Sequence, residues 1–198
     1  HYKNVIQKEV NGLSPKPLII KYTVSPEGAI KNVFTENFES SKKTNVAQAK
    51  HPRLNIKYNF VSFIEGENNQ FAKAAALNVA DMPGQQAFNP LIIYGGVGMG
   101  KTHLLHAIGN AVFNETPNKK VVCASSEKFT LEFISSIQKN RTADFSKSYR
   151  NADILLIDDI QFFQGKEQTQ EQFFHTFNEL FQAGKQIVMT ADRYPGEM

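Results

Sequence analysis

One stretch, Gly95-Gly96-Val97-Gly98-Met99-Gly100-Lys101-Thr102, constrains this chain more than any other. It satisfies the phosphate-loop pattern G-x-x-x-x-G-K-[ST] at every fixed position. Leu91-Ile92-Ile93-Tyr94, just before it, is a short apolar run of the kind that forms a buried parallel strand. After it, Leu104, Leu105, Ile108 and Val112 recur at helical spacing. The motif therefore sits where a strand turns into a helix. There, unpaired N–H groups and the helix dipole favour an anion. Gly96, Gly98 and Gly100 let the backbone wrap phosphates without a Cβ in the way. Lys101 is placed to reach β- and γ-phosphates, and the Thr102 hydroxyl to coordinate Mg²⁺. The plainer alternative is a glycine-rich turn beside a surface lysine.

A second site lies downstream. Ile154-Leu155-Leu156-Ile157-Asp158-Asp159 is an apolar strand ending in two carboxylates. In parallel α/β sheets ligands bind at that end of the strands. This is the Walker B pattern: Asp158 supports Mg²⁺ through water, and Asp159 polarises the attacking water. A third strand, Gln186 to Thr190, runs into Thr190-Ala191-Asp192-Arg193, where a γ-phosphate can be sensed. Lys101, Asp158 and Asp159 are thus the candidate catalytic residues, with Thr102 and Asp158 the candidate Mg²⁺ ligands.

The alternation of strands and helices predicts an α/β fold, a doubly wound parallel sheet of the P-loop NTPase type with right-handed crossovers. Helices are expected from about Asn69 to Ala80, after the phosphate loop, from about Ser126 through Phe129, Phe133, Ile134 and Ile137, and from Glu167 to Ala183. In the last, Phe173, Phe174, Phe177, Leu180 and Phe181 read as a core-packing stripe. Asp144 to Tyr149 reads as a polar stretch or a short helix.

Three segments follow from this. Residues 1–24 read as a helix and a strand, the remnant of a small α+β domain too slight to bury a core alone. Residues 25–54, with Pro26, Gly28 and Pro52, read as a flexible linker. Residues 55–198 are the nucleotide-binding core. The start at His1 and the stop at Met198 read as the ends of a fragment. Among 198 residues there is one cysteine, Cys123, in the apolar run Val121-Val122-Cys123-Ala124, which reads as a buried thiol and fits a cytoplasmic setting. A net charge of +3 permits contact with nucleic acid without arguing for it.

Several longer runs narrow the reading. They are Phe88-Asn89-Pro90-Leu91 leading into GGVGMGKTHLLHAIGN, Ser125-Ser126-Glu127-Lys128-Phe129-Thr130, LLIDDIQFFQGKEQTQEQFFHTFN from Leu155, and Thr190-Ala191-Asp192-Arg193-Tyr194-Pro195. With His103 after the loop and Asp-Asp-Ile-Gln at Walker B, the chain from about Asn55 onward resembles the AAA+ domain of the bacterial chromosomal replication initiators, the DnaA family. The resemblance implies ATP or ADP with Mg²⁺ as cofactors, and places His103 among the nucleotide-binding residues. It puts Phe63 and Ile64, with Asn69 just after, against the adenine, and Thr190 and Asp192 in the sensor-I region. The helix end carrying Lys139 and Arg141 corresponds to the insertion that contacts single-stranded DNA, although basic residues there also suit a helix dipole.

The resemblance further implies an ATP-driven switch that self-associates into a filament on origin DNA, melts the duplex and is reset by slow hydrolysis. Double-stranded origin sites would be read by a C-terminal domain beyond Met198, and helicase or regulators bound through the N-terminal domain. Contact with acidic phospholipid belongs to the intact protein. Hydrolysis by the fragment is expected to be inefficient. The family's usual residues differ at Ile56 (proline), Ser62 (asparagine) and Ala191 (serine). Alternatives are a related AAA+ helicase loader or initiator regulator, and a small-molecule P-loop kinase.

Overall fold

The computed structural model describes residues 50–194, so the expectations for residues 1–24 and for the linker up to residue 49 lie outside the described residues. Four short strands form one parallel sheet: β1 Leu91–Tyr94, β2 Val121–Ser125, β3 Ile154–Asp158 and β4 Gln186–Ala191, in the order β1-β4-β3-β2. Helix α1 spans Gln70–Asp81, α2 Lys101–Glu115, α3 Ser126–Gln138, α4 Thr142–Arg150 and α5 Glu167–Gln182, with 3-10 turns at Gln86–Phe88 and Ile160–Phe163. The chain crosses from β1 to the far edge at β2, then steps back through β3 and β4. β4 thereby comes to lie beside β1, which carries the phosphate loop, and the Walker B strand β3 lies next to β4.

The alternation of side chains along each strand divides the core in two. One face of the sheet carries Ile93, Val121, Cys123, Ile154, Leu156 and Val188, packed with Val79, Leu104, Leu105, Ile108 and Val112 of α1 and α2. The other carries Val122, Ala124, Leu155, Ile157, Ile187 and Met189, covered by Phe129, Phe133, Phe145, Tyr149 and Leu180 of α3, α4 and α5. This is the doubly wound arrangement expected of the pattern. Each face needs its own apolar partners, so β3, buried on both sides, reads as an unbroken apolar run.

Three local expectations are corrected. Residues 144–149 are not merely polar: α4 places Phe145 and Tyr149 in the core, where both meet the ring of Phe129 edge-on at 5.0 and 4.7 Å. In α5 only part of the aromatic stripe is core. Leu180 is buried and Phe173 and Phe177 pack against it, whereas Phe174 and Phe181 are exposed. Ile134 and Ile137 of α3 are likewise exposed, because the α3 face against the sheet is filled by Phe129 and Phe133. Among the described residues no helix is long and apolar enough to cross a membrane.

Ahead of α1 the chain forms a strap across α2. His51 to Leu54, placed at the end of the linker by the sequence reading, already pack on the domain. His51 Nε2 donates to the Val121 carbonyl at 3.1 Å, and Arg53 pairs with Glu132 of α3 at 2.9 Å. Leu54 lies against Gly109, where a Cβ would come within 2.8 Å of Leu54 Cδ2 and 2.6 Å of Leu156 Cδ1. The buried Asn110 amide donates to the carbonyls of Asn55 and Tyr58 at 2.9 and 2.8 Å. The strap thus reaches the phosphate loop on a rail of side chains from α2.

Candidate nucleotide site

The loop begins where β1 ends. Gly95 N donates to Ala191 O at 3.2 Å, extending the β1–β4 pairing by one bond. Gly98 and Gly100 take φ of +82° and +86°, the left-handed region that glycine enters without strain. Gly100 caps α2, whose hydrogen-bond ladder starts with Leu104 N to Gly100 O at 3.0 Å. The N–H groups of Lys101, Thr102 and His103 therefore precede the ladder and face outward at the positive end of the helix dipole. Lys101 Nζ bends back to the carbonyls of Gly95 (2.8 Å) and Gly96 (3.0 Å). Among the ion pairs of the described residues it has no carboxylate partner, so its charge stays available at the mouth of the loop.

Beneath the loop stands a chain of hydroxyls and one carboxylate. Asp158 Oδ1 accepts from Thr102 Oγ1 at 3.2 Å and from Thr190 Oγ1 at 2.5 Å. The donor set fits Mg²⁺, a hard ion that takes one or two protein oxygens and completes its shell with water and phosphate. No cluster of three or more His, Cys, Asp or Glu that could form an all-protein metal cage occurs among the described residues.

Asp159 is not the last residue of the strand. It turns out of β3 at φ 56° and ψ 57°, a left-handed conformation costing a non-glycine residue about 1–2 kcal/mol. Three side chains hold it there. Thr190 Oγ1 accepts from Asp159 N at 2.8 Å, Ser126 Oγ donates to Asp159 O at 2.5 Å, and Gln161 Nε2 donates to Asp159 Oδ1 at 3.1 Å. Strain that the surroundings over-determine in this way points to a functional position. The turn aims the Asp159 side chain into a cleft of about 550 Å³, lined also by Gly98, Lys101, Thr102, Gln161, Phe162 and Asp192.

The strap builds the second wall. His103, in the first turn of α2, stacks on Tyr58 (4.9 Å) and meets Phe63 edge-on (5.2 Å), while its Nε2 contacts Asn59 O at 2.8 Å. Ser62 Oγ reaches the same nitrogen at 3.3 Å. Phe63 is buried against Gly100, where a Cβ would fall 2.8 Å from its Cε2. Ile64 is exposed, and the Asn69 amide closes its own loop, accepting from Gly66 N at 2.9 Å and donating to Ile64 O at 3.1 Å. Phe63, Ile64, Asn69, Gly98, Gly100 and His103 line a pocket of about 310 Å³ that shares three of these residues with the main cleft.

The structure therefore gathers Gly98, Gly100, Lys101, Thr102, His103, Asp159 and Asp192 around one cleft, with Asp158 and Thr190 tied beneath it through Thr102 and Gly96 contributing a carbonyl to Lys101. Phe63, Ile64 and Asn69 sit to one side of it. His103 serves the strap as much as the cleft. Ser126, Tyr58 and Phe162 are given no role at the site by the sequence reading, and Gln161 enters it only as the last residue of the Asp-Asp-Ile-Gln run. Only Gln161 had a signal there, its place two residues after Asp159. Behind the site, burial holds the imidazole of His106 below its ordinary value, against the opposing charge of Asp158.

Comparison with known proteins agrees with the geometry. Residues 54–198 match the family model described as the bacterial DnaA ATPase domain. Domain III of the Thermotoga maritima replication initiation protein DnaA is similar at 49% identity, with a TM-score of 0.70 over 73% of this chain and 60% of that one. A replication initiator DnaA solved with AMPPCP and single-stranded DNA is similar at 40% identity, with a TM-score of 0.69 over 73% of this chain and 44% of that one. In both cases the match covers less than two thirds of the relative's own length. The DnaC helicase loader shares the fold alone, at 15% identity and a TM-score of 0.60 over 71% of this chain and 81% of that one.

Proposed function

The chain belongs to the bacterial DnaA family of replication initiators, and on that premise we propose that its AAA+ domain binds ATP in the cleft above Asp158 and hydrolyses it slowly to ADP and phosphate. One observation supports this most: Thr102, Asp158 and Thr190 form a continuous hydrogen-bonded link between phosphate loop, Walker B strand and β4. Thr102 and Asp158 are the residues that would hold Mg²⁺, whose charge would offset that of the β- and γ-phosphates. Lys101 would leave the loop carbonyls for the phosphate oxygens, exchanging neutral acceptors for charged ones. Asp159 would orient and polarise the water whose oxygen attacks the γ-phosphorus as the bond to the β–γ bridging oxygen breaks. Phe63 and the Ile64 backbone would flank the base.

The output we propose is assembly of an ATP-dependent filament on origin DNA that opens the duplex. The solved relative with bound single-stranded DNA supports contact with DNA. We place that contact near the end of α3, where Lys139 is exposed, whereas Arg141 is engaged with Asp144 at 2.7 Å. Helicase or regulator contact, contact with acidic phospholipid and a cytoplasmic setting belong to the same proposal for the intact protein.

The test is a titration of wild type and Lys101→Ala with ATP and ADP in the presence of Mg²⁺. Loss of the ammonium should weaken binding at least tenfold, about 1.4 kcal/mol or more at a charge-assisted contact. Equal affinity of the two proteins would remove the basis for this reading.

A further inference from the structure

Gln161 makes two hydrogen bonds that together fix its amide. Its Nε2 donates to Asp159 Oδ1 at 3.1 Å, and its Oε1 accepts from the backbone N–H of Asp192 at 3.3 Å. A flipped amide would set a carbonyl against the Asp159 carboxylate and an NH₂ against an N–H, so only one orientation satisfies both partners. The backbone of Gln161 is held as well: its carbonyl accepts from Gln164 N at 3.0 Å within the 3-10 turn. The side chain thus spans the cleft floor between the turn after β3 and the exit of β4, and it lines the cleft itself.

We propose that Gln161 is a positioning residue for hydrolysis, coupling the Asp159 carboxylate to the Asp192 backbone, on the premise that Asp159 polarises the attacking water. Asp159 has one oxygen held by the Gln161 amide, which leaves Oδ2 to address the cleft. Because its backbone is already fixed by Thr190 and Ser126, the remaining freedom is side-chain rotation, and Gln161 removes it. The same amide registers the position of β4, whose exit carries Asp192. A shift of that exit would pass through a single side chain to the carboxylate that aims the water.

Two substitutions separate the two ends. Gln161→Glu keeps an acceptor for Asp192 N–H but replaces the donor to Asp159 with a second carboxylate. Gln161→Met keeps the length and removes both bonds. ATP turnover is measured in single-turnover mode with excess protein and trace radiolabelled ATP, so that slow hydrolysis is still read. Nucleotide affinity and amide hydrogen exchange at Asp192 are measured alongside, and Asp159→Asn serves as the control for the underlying reading.

Gln161→Met should bind ATP within about twofold of wild type, Gln161→Glu more weakly because it adds a negative charge to the cleft, and both should hydrolyse bound ATP about 10- to 100-fold more slowly, the scale of a misplaced catalytic group. Asp192 exchange should rise in Gln161→Met and stay at the wild-type rate in Gln161→Glu. Wild-type turnover in both variants, with Asp159→Asn impaired, overturns the coupling alone. Unchanged Asp192 exchange in Gln161→Met also overturns it. An Asp159→Asn protein that hydrolyses like wild type, or a wild-type chain without hydrolysis, removes the reading on which the inference rests.

Discussion

Thr190→Val tests whether the hydroxyls under the phosphate loop hold the Walker B turn or merely fill space. Thr190 is fully buried, and valine keeps its shape, so no cavity opens. Two interactions are lost. The first is the donor to the Asp158 carboxylate, a bond to a charged group worth about 1.5–3 kcal/mol. The second is the acceptor for Asp159 N–H, which leaves a donor unpaired at about 1 kcal/mol, near the low end because Asp159 is half-buried and water can approach. Removing the hydroxyl's own desolvation offsets part of this, and a net loss of about 2–3 kcal/mol remains. For a domain of this size that lowers Tm by roughly 5–12 °C.

Thr190→Ser supplies the contrast. It keeps the hydroxyl and deletes one methyl, at about 1 kcal/mol. Urea unfolding followed by far-UV circular dichroism reads both, since the chain contains no tryptophan. The hydroxyl account requires valine to be clearly worse than serine. If serine costs as much as valine or more, packing is what matters and the account is wrong. A cycle with Asp158→Asn sharpens the result. The Thr190→Val penalty should shrink by about 1 kcal/mol when the carboxylate charge is absent.

Three further outcomes are expected. Gly100→Ala forces an alanine to φ +86° and drives its Cβ within 2.8 Å of the Phe63 ring; it should cost about 2–4 kcal/mol and loosen the strap, visible as faster amide exchange from Asn59 to Phe63. Burial holds the imidazoles of His51 and His106 below 6.5, so the unfolded chain takes up protons first as pH falls. Stability should therefore be flat above pH 7 and decline as pH drops through 6.5 toward the folded values, and His51→Gln with His106→Gln should flatten that decline. The thiol of Cys123 is pushed up to about 12 by burial, so an aromatic disulfide reagent at pH 8 should label it only in denaturant.

The sheet and the acidic cleft were legible because their signals are local. Leu91–Tyr94 and Ile154–Asp158 announce themselves as apolar runs, and the loop between strand and helix by glycines at fixed spacing. The strap was only half legible. The resemblance places Phe63 and Ile64, but the strap's attachment rests on long-range partners that no short pattern carries, such as Asn110 to Asn55 and Tyr58 and His51 to Val121. Residues 144–149 looked polar because Phe145 and Tyr149 lie four apart among charged neighbours, one face of a short helix. Phe174 and Phe181 looked like core because helical spacing gives a stripe and not its width; of the apolar stripe in α5, only Phe173, Phe177 and Leu180 belong to the core, beside the buried Thr169 and Thr176. Gln161 is legible as the end of the Asp-Asp-Ile-Gln run, but its two bonds are not, because the partners come from a backbone turn and the exit of β4.

The left-handed turn at Asp159 limits what the position can hold in a way that a pocket alone would not. Two filters act on one residue. The backbone, at φ 56°, admits glycine, asparagine and aspartate readily and penalises nearly everything else. The proposed chemistry admits only a carboxylate. Glutamate passes the second filter and is disfavoured by the first, and asparagine does the reverse. In a saturation library, selection for folding alone should enrich glycine and asparagine at 159, and selection for turnover should leave aspartate almost alone. The difference between those two profiles measures, at a single site, how much stability the protein forgoes in order to aim one carboxylate.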